Sequence, residues 1–197
     1  MARPRKSEHI KEHLLELGTG IFLEKGYSGA GIKEILGRAN VPRGSFYNYF
    51  DSKEHYAAEV IRHYISHMAE RMQGYLANYN GTPMELLENA HNIIVEMAQE
   101  CGADEGCLMG SMAAEIANSS ELCRQAMLEG IAYWVQGFSA LFAQAQASGD
   151  IRADLSPQQL VGLFWNQWQG ALLRMQIEGD PEVLAQSVKD FVQLIRA

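Results

Sequence analysis

The chain has 197 residues, 47% of them hydrophobic, and a formal net charge of −8 at pH 7. This length allows one ordinary domain or a small domain joined to a larger one, and three cysteines are too few for a disulfide framework. Because no apolar run approaches the roughly 18 residues of a membrane span and the N-terminus lacks an apolar signal segment, we expect a cytoplasmic protein with no membrane partner.

The first part of the chain predicts two helices. Residues 1–6 form a basic arm that could enter a DNA minor groove or simply aid solubility. Ser7 is a candidate N-cap for a helix that ends at Lys25, where Gly26 supplies a C-terminal signal. A shorter helix over Ile32–Ala39 faces the same core. The apolar stripe of the first helix consists of Ile10, Leu14, Leu17, Ile21 and Phe22.

The stretch Val41–Lys53 predicts a turn followed by a very short helix. Pro42 has no N–H and fixes its own φ, so a new helix should begin near Arg43. Phe46 and Phe50 are four apart, the spacing at which two side chains pack on the same helix face.

The opposite face of this short helix carries side chains suited to DNA. Hydrogen-bond donors and aromatic rings can reach phosphates and base edges, and a glycine lets the backbone approach closely. Positive charge is concentrated in this part of the chain, since residues 1–62 hold 10 Lys and Arg against 8 Asp and Glu, whereas residues 63–197 hold 6 against 16. The candidate DNA-binding residues are Pro42, Arg43, Gly44, Ser45, Tyr47, Asn48, Tyr49 and Lys53.

Val41–Lys53, with the preceding Gly26-Tyr27, resembles the DNA-binding segment of the TetR family of one-component bacterial repressors. The family order is present without gaps: glycine, hydroxyl residue, aromatic, tyrosine, any residue, tyrosine or histidine, phenylalanine, two polar residues and lysine. The resemblance implies that Arg43 and Asn48 read bases. It also implies that the phosphates are held mainly by Tyr47, Tyr49 and Lys53.

A fourth helix is predicted over residues 53–76, with Asp51 and Ser52 as its cap. It would span about 36 Å and connect the small N-terminal unit to the rest of the chain. His63 and His67 are four apart on it, a spacing that could suit a metal. Without an adjacent carboxylate or cysteine at ligand spacing we expect no metal site, and the sequence indicates no cofactor.

The remaining helix starts are marked by capping signals. Thr82-Pro83-Met84-Glu85 and Ser156-Pro157-Gln158-Gln159 each place a hydroxyl cap before a proline, and Asp180-Pro181 precedes the last helix. No stretch alternates with period 2, so the fold class is predicted to be all-α. We expect helices at 83–101, from 106 with a break, and at 120–148, 157–178 and 181–196.

The predicted domains are a three-helix helix-turn-helix DNA-binding domain over residues 1–52 and a helical ligand-binding and dimerisation domain over residues 53–197, which begins with the connector helix. A helix-turn-helix this small needs two half-sites to bind tightly, which requires a two-fold homodimer. In the TetR family the last two helices pair with their copies as a four-helix bundle; the alternative is that their apolar stripe is wholly intramolecular core. The candidate interface residues are Leu160, Phe164, Ala171, Met175, Val188, Phe191, Val192 and Ile195.

A second candidate functional region is Gly102–Ser120. Its glycines interrupt a helical pattern around Cys107, and such breaks beside Met-rich and aromatic surface often form ligand cavities, although the same cluster could be plain core. The candidate lining residues are Met97, Met109, Met112, Trp134, Phe138, Trp165 and Trp168.

Gly106-Cys107-Leu108, followed by an Ala-Ala-Glu helix, resembles a branch of the TetR family that senses electrophiles and oxidants through a cysteine at this place. The resemblance suggests Cys107 as the sensor, a role that requires a thiolate. Neighbouring acids oppose a thiolate, so the alternative is a small buried side chain beside a non-covalent ligand site. Cys101 and Cys123 are expected to be structural, although either could resolve a sulfenic acid at Cys107.

We therefore predict a dimeric transcriptional repressor that leaves an inverted-repeat, double-stranded DNA operator when a small-molecule or electrophile inducer acts on the C-terminal domain. One rival is an all-α thiol enzyme using Cys107, which is disfavoured because no histidine follows His91 to serve as a base. Another is an architectural DNA-binding protein without an inducer, which would show little sequence preference.

Overall fold

The computed structural model describes residues 6–90, 92–93 and 107–197, with side chains from residue 9 onwards. Over these ranges the chain is all-α, as predicted, with nine helices and one isolated β-bridge between Ile151 and Arg196. None of the described helices is both long and apolar enough to cross a membrane. The helices are α1 Lys6–Gly29, α2 Ile32–Ala39, α3 Arg43–Phe46, α4 Lys53–Asn78, α5 Pro83–Glu88, α6 Leu108–Ile116, α7 Glu121–Ala147, α8 Pro157–Glu178 and α9 Glu182–Ile195.

The chain forms two compact units, and both α4 and α7 contribute residues to each unit. The first unit joins the described part of Met1–Glu70 to Cys107–Gly130. The second joins the described part of Arg71–Gly106 to Ile131–Ala197. Within the first unit α6 packs against α1. The boundary between a DNA-binding and a ligand-binding domain after residue 52 stays a prediction.

Local signals set the ends of the helices in the first unit. α1 is interrupted at Gly26, whose φ of 69° and ψ of 177° lie outside the helical region, as the glycine signal predicted. α2 ends at Ala39, and Asn40 follows in the left-handed conformation with φ 52°. Ser52 caps α4 through its Oγ, which accepts the His55 amide at 3.0 Å.

An aromatic cluster forms the centre of the first unit. Phe46 and Phe50 are both 0% exposed, which confirms the packing predicted from their spacing. Both rings contact Tyr56 of α4, with centroids 5.4 and 4.8 Å away, and Tyr56 in turn contacts Phe22 of α1 at 5.8 Å. The buried side of α3 is thereby fixed to two long helices, and its other side faces outward.

In the second unit α7, α8 and α9 lie within two residues of their predicted bounds. Both predicted capping boxes are present: the Thr82 hydroxyl accepts the Glu85 amide at 3.2 Å, and the Ser156 hydroxyl accepts the Gln159 amide at 3.3 Å. α5 ends at Glu88, where Asn89 leaves the helical region with φ −92° and ψ 0°, and Ala90, Asn92 and Ile93 beyond it are helical again. Most of the predicted helix beyond it lies outside the described residues.

The apolar stripe that we predicted as the dimer interface is the core of the second unit. All eight side chains pack in one intramolecular cluster, where seven are at most 8% exposed and Met175 is partly buried. These side chains have little accessible surface left within one chain, and their role between two copies stays a prediction. The predicted interface residues that lie in this core are Leu160, Phe164, Ala171, Met175, Val188, Phe191, Val192 and Ile195.

Candidate functional site

The turn between α2 and α3 is built from main-chain hydrogen bonds. The Val41 amide donates to the Leu36 carbonyl at 3.0 Å, which closes α2 through the left-handed Asn40. The Ser45 amide then donates to the Pro42 carbonyl at 2.9 Å and opens α3. Because both bonds are local, the turn itself helps to set the angle between α2 and α3, in addition to the packing of Phe46 and Phe50.

After Phe46 the chain continues as a tight turn rather than as regular helix. The Asn48 amide donates to Ser45 at 3.2 Å, and the Tyr49 amide donates to Phe46 at 3.0 Å. Asn48 and Tyr47 are both exposed in this turn, and the Tyr47 ring meets the Phe46 ring edge-on, with centroids 5.4 Å apart. Of the candidate DNA-binding residues, Pro42, Arg43, Gly44, Tyr47 and Asn48 are exposed, whereas Ser45, Tyr49 and Lys53 are half-buried.

The exposed residues form one open surface. A Cβ added at Gly44 would meet no atom of the described residues within 4 Å, so the backbone there is open to another molecule. Arg43 supplies a guanidinium, Asn48 an amide and Tyr47 a hydroxyl on a ring that is 55% exposed. This set can donate to phosphates and read base edges in a major groove.

Lys53, the first residue of α4, makes two contacts with Tyr27 that we did not predict from the sequence. Its Nζ donates to the Tyr27 carbonyl at 2.5 Å and lies 4.3 Å from the centre of the Tyr27 ring. Burial lowers the pKa of the Lys53 ammonium, and the negative charge of Glu115 opposes that shift. The phosphate contact that the resemblance implied for Lys53 stays a prediction. To make it, the ammonium would have to bind a phosphate and the Tyr27 carbonyl at the same time.

Cys107 occupies the N-cap position of α6 with φ −96°, and its side chain is half-buried. Its carbonyl accepts the amide and the hydroxyl of Ser111, at 3.0 and 3.2 Å. Cys123 differs, because it is buried and its thiol donates to the Glu54 carbonyl at 3.7 Å. Burial raises the pKa of the Cys123 thiol, which disfavours a thiolate there.

A cavity of about 230 Å³ lies in the second unit. Trp134 and Phe138 contribute stacked rings, with centroids 5.7 Å apart and an angle of 29°. The Gln73 amide donates to the Tyr133 hydroxyl at 2.9 Å. No charged side chain occurs among the described residues of the lining, which are Met72, Gln73, Leu76, Leu86, Leu87, Ala90, Ile93, Tyr133, Trp134, Gly137, Phe138, Leu141, Phe142 and Phe164.

The structure brings together only part of the predicted sensor and ligand set. Trp134 and Phe138 line the cavity, whereas Trp168 packs in the apolar core and Trp165 does not line the cavity. Met109 and Met112 are buried in the first unit, and Met97 lies outside the described residues together with Cys101. Sequence reasoning missed the other lining residues, although the pairs Trp134–Phe138 and Phe138–Phe142 on α7 have the spacing of one apolar helix face.

His63 and His67 stack on α4 with ring centroids 6.4 Å apart. The described residues contain no group of three or more His, Cys, Asp or Glu side chains that could hold a metal ion. Burial lowers the pKa of His63, which favours the neutral ring.

A helix-turn-helix with an outward recognition surface, in a chain that also carries a helical unit with an apolar cavity, defines a ligand-responsive DNA-binding regulator. Residues 14–60 match the model for "Bacterial regulatory proteins, tetR family", and residues 83–191 match the model for "Tetracyclin repressor-like, C-terminal domain". The chain belongs to the TetR family of bacterial regulatory proteins.

Named relatives agree with this assignment. The chain is 36% identical to the transcriptional repressor DhaR of Mycobacterium sp. (strain GP1), over 90% of this chain and 87% of that protein. It is 32% identical to the transcriptional repressor NemR of Escherichia coli (strain K12), over 97% and 96%. The crystal structure of the reduced form of E. coli NemR matches with a TM-score of 0.85 at 27% identity, covering 96% of this chain and 97% of that one. The protein is a DNA-binding transcriptional regulator.

Proposed function

We propose that the protein is a dimeric repressor that binds an inverted-repeat operator and leaves it when a chemical signal reaches the C-terminal helices. The observation that carries this proposal is the exposed set Arg43, Tyr47 and Asn48 above the buried Phe46 and Phe50. This arrangement leaves a rigid donor-rich surface for the major groove. The named relatives are transcriptional regulators, so we assign the protein a binding role, in the bacterial cytoplasm, and no catalytic one.

A second stripe on α8 is suited to joining two copies. Leu163, Leu173 and Ile177 are 47, 59 and 76% exposed, and they lie on the side of α8 opposite its buried residues. Gly170 lies between them, and a Cβ there would meet no atom within 4 Å, so a second helix could approach closely. Large exposed apolar side chains in a row mark an interaction surface. Two-fold pairing of this stripe would supply a second helix-turn-helix for the second half-site of the operator, which so small a DNA-binding unit requires.

We infer a thiol-dependent signal at Cys107. Its half-buried side chain is accessible, and it lies at the start of the nine-residue α6. One relative of high coverage, NemR, has a structure in its reduced form, which is compatible with a redox-active thiol in this branch. Modification of Cys107 adds atoms at a helix terminus, which would shift α6.

The test is operator binding in defined salt by the wild type, Cys107→Ser and Cys123→Ser, each with and without N-ethylmaleimide. A pool of host-genome fragments supplies the DNA. We expect release of the wild type and of Cys123→Ser, and continued binding by Cys107→Ser. Release of Cys107→Ser, or continued binding by the wild type, would contradict the sensor role.

A second candidate signal is a non-covalent ligand in the cavity, which its uncharged lining favours. The stacked rings and the Gln73–Tyr133 pair suit a flat, uncharged molecule with one polar group. We expect 2-naphthol to bind in calorimetry and its charged analogue 2-naphthoate not to bind. Gly137→Leu should fill the cavity and abolish binding, whereas Gly74→Leu, at a glycine that does not line it, should not. Equal binding by the two variants would contradict this site.

A further inference from the structure

After the kink at Gly26 in α1, the main chain of Tyr27 and Ser28, here called the Tyr27–Ser28 turn, is held by a carboxylate from α6. Oε1 of Glu115 accepts the Tyr27 amide at 3.0 Å, and Oε2 accepts the Ser28 amide at 2.8 Å. The three residues belong to one compact unit, although 87 positions separate Ser28 from Glu115. Two charge-assisted bonds from one carboxylate to adjacent amides define both the distance and the orientation of the turn.

Gly26 makes this grip possible. Its φ of 69° is a left-handed value that glycine adopts readily and that turns the next two amides toward the carboxylate. A Cβ at Gly26 would overlap the Glu115 carboxylate, so the residue also has to lack a side chain here. Gly26 therefore interrupts α1 and also leaves room for the Glu115 carboxylate of α6.

The main chain of Tyr27 is also bound by the first residue of α4. While the Tyr27 amide donates to Glu115, the Tyr27 carbonyl accepts Nζ of Lys53 at 2.5 Å. Lys53 follows the recognition segment directly, two residues after Asp51. Hydrogen bonds therefore connect Glu115 to Tyr27 and Tyr27 to Lys53, which lies at the end of the DNA-binding segment.

The helix that carries Glu115 can transmit a displacement as one piece. Leu108, Met109, Met112 and Ile116 are buried along its inner side, so that α6 is held by packing over its whole length. Cys107 lies at its start and Glu115 near its end, about 12 Å apart at 1.5 Å per residue. The hydrogen bonds of Ser28 and Tyr27 to Glu115 lower the pKa of its carboxyl, which is consistent with an ionised acceptor.

We propose that Glu115 is a positioning residue for DNA recognition. Its carboxylate binds the Tyr27–Ser28 turn to α6, so the position of α6 determines the position of the recognition surface formed by Arg43, Tyr47 and Asn48. For its link to a signal this inference rests on the proposed function, in which modification of Cys107 shifts α6. The positioning itself applies to the unmodified protein and is tested there.

The test compares operator affinities of unmodified wild type, Glu115→Gln and Glu121→Gln. Glutamine offers one acceptor oxygen, and its NH₂ cannot accept the second amide. Glu121→Gln makes the same charge change in the same unit, at a carboxylate that contacts Arg124 and Gln125 of its own helix. Loss of a negative charge alone tightens DNA binding. We expect Glu115→Gln to bind the operator 5- to 10-fold more weakly than Glu121→Gln. Because both variants lose one negative charge, the charge effect cannot account for this difference.

Hydrogen exchange gives the readout that separates positioning from unfolding. In Glu115→Gln the amides of Tyr27 and Ser28 should exchange about tenfold faster while protection of the α4 and α7 amides is unchanged. If Glu115→Gln fails to fold, Glu115→Asp, which keeps the charge but withdraws the carboxylate by one methylene, takes its place. Operator affinity equal to or tighter than that of Glu121→Gln would overturn the proposal. Failure of the wild type to respond to N-ethylmaleimide would instead count against the sensor role of Cys107 and leave this comparison intact.

Discussion

The hydroxyl of Tyr56 donates a hydrogen bond to the carbonyl oxygen of Leu14 at 2.5 Å, inside the aromatic cluster of the first unit. Tyr56 is 0% exposed, and its hydroxyl approaches α1 where Gly18 has no side chain, since a Cβ there would overlap the hydroxyl. This bond fastens the connector helix to the first helix at the level of the recognition segment. Burial raises the pKa of Tyr56, so the hydroxyl stays a donor at all physiological pH values.

Tyr56→Phe removes this donor while keeping the ring. We expect the free energy of unfolding to fall by about 1–2 kcal/mol, because a buried hydrogen bond is lost without a compensating one. Urea unfolding followed by circular dichroism measures the change. Tyr47→Phe is the matched control, since the Tyr47 side chain is 55% exposed and its loss of a hydroxyl should leave stability unchanged. Equal stabilities of the two variants would show that the bond contributes nothing.

Gly26→Ala and Gly20→Ala should change stability in opposite directions. At Gly26 the left-handed φ and the Glu115 carboxylate both resist a Cβ, so we expect a loss of roughly 1–3 kcal/mol. Gly20 lies within α1 with open space around a Cβ, and alanine there should stabilise by about 0.5–1 kcal/mol. Thermal unfolding of both variants measures the two signs. A stable Gly26→Ala protein would mean that the turn can adopt another conformation.

The sequence predicted elements that depend on local chemistry. The start of α8 follows from the Ser156–Gln159 capping box, and the break before α3 follows from Pro42, because neighbouring residues alone determine both. The α5 region shows the limit, since no proline or glycine marks the break at Asn89, beyond which Ala90, Asn92 and Ile93 are helical again.

Two further features could not be predicted from the sequence. They are which side of α8 is buried, and the contact of Glu115 with the amides of Tyr27 and Ser28. α8 has apolar residues on two sides, and periodicity cannot tell which side meets the chain's own core and which is left exposed. A carboxylate that accepts two main-chain amides 87 and 88 residues away has no signature, because any residue supplies an amide. The cavity lining is similar, since Met72 and Phe164 meet only in the folded unit.

The contribution of Glu115 to stability should depend on pH with a defined sign. The Ser28 amide above all, with Tyr27 and the charge of Lys53, holds the pKa of the Glu115 carboxyl below its usual 4.5. A lowered pKa in the folded state means that the stabilisation is fully present above the unfolded pKa and is lost as pH falls through the folded one. The difference in unfolding free energy between wild type and Glu115→Gln should therefore be constant near neutrality and shrink below pH 4.5. A difference that grows on acidification would contradict the ionised contact.

Arg43→Ala and Lys53→Ala should weaken DNA binding in distinguishable ways. Loss of a base-reading guanidinium should cost about 1–3 kcal/mol on the operator and relax base preference at one position. Loss of Lys53 should weaken all sequences alike and flatten the salt dependence, and it should also lower stability because the ammonium holds Tyr27. Fluorescence anisotropy on operator and scrambled DNA at several salt concentrations separates the two. Identical behaviour of the variants would contradict the division between base and phosphate contacts.

Leu173→Asp should separate two copies of the chain if the exposed stripe of α8 forms the dimer. A carboxylate placed in a pairing apolar surface would be buried without a partner, which is strongly unfavourable. We expect the dimer dissociation constant to rise at least a hundredfold, equivalent to about 2.8 kcal/mol, and operator affinity to fall with it. Leu128→Asp is the matched control, because Leu128 is 45% exposed on α7, outside the stripe. Light scattering after size-exclusion chromatography gives the mass of each variant. A dimeric Leu173→Asp protein would move the interface away from this face of α8.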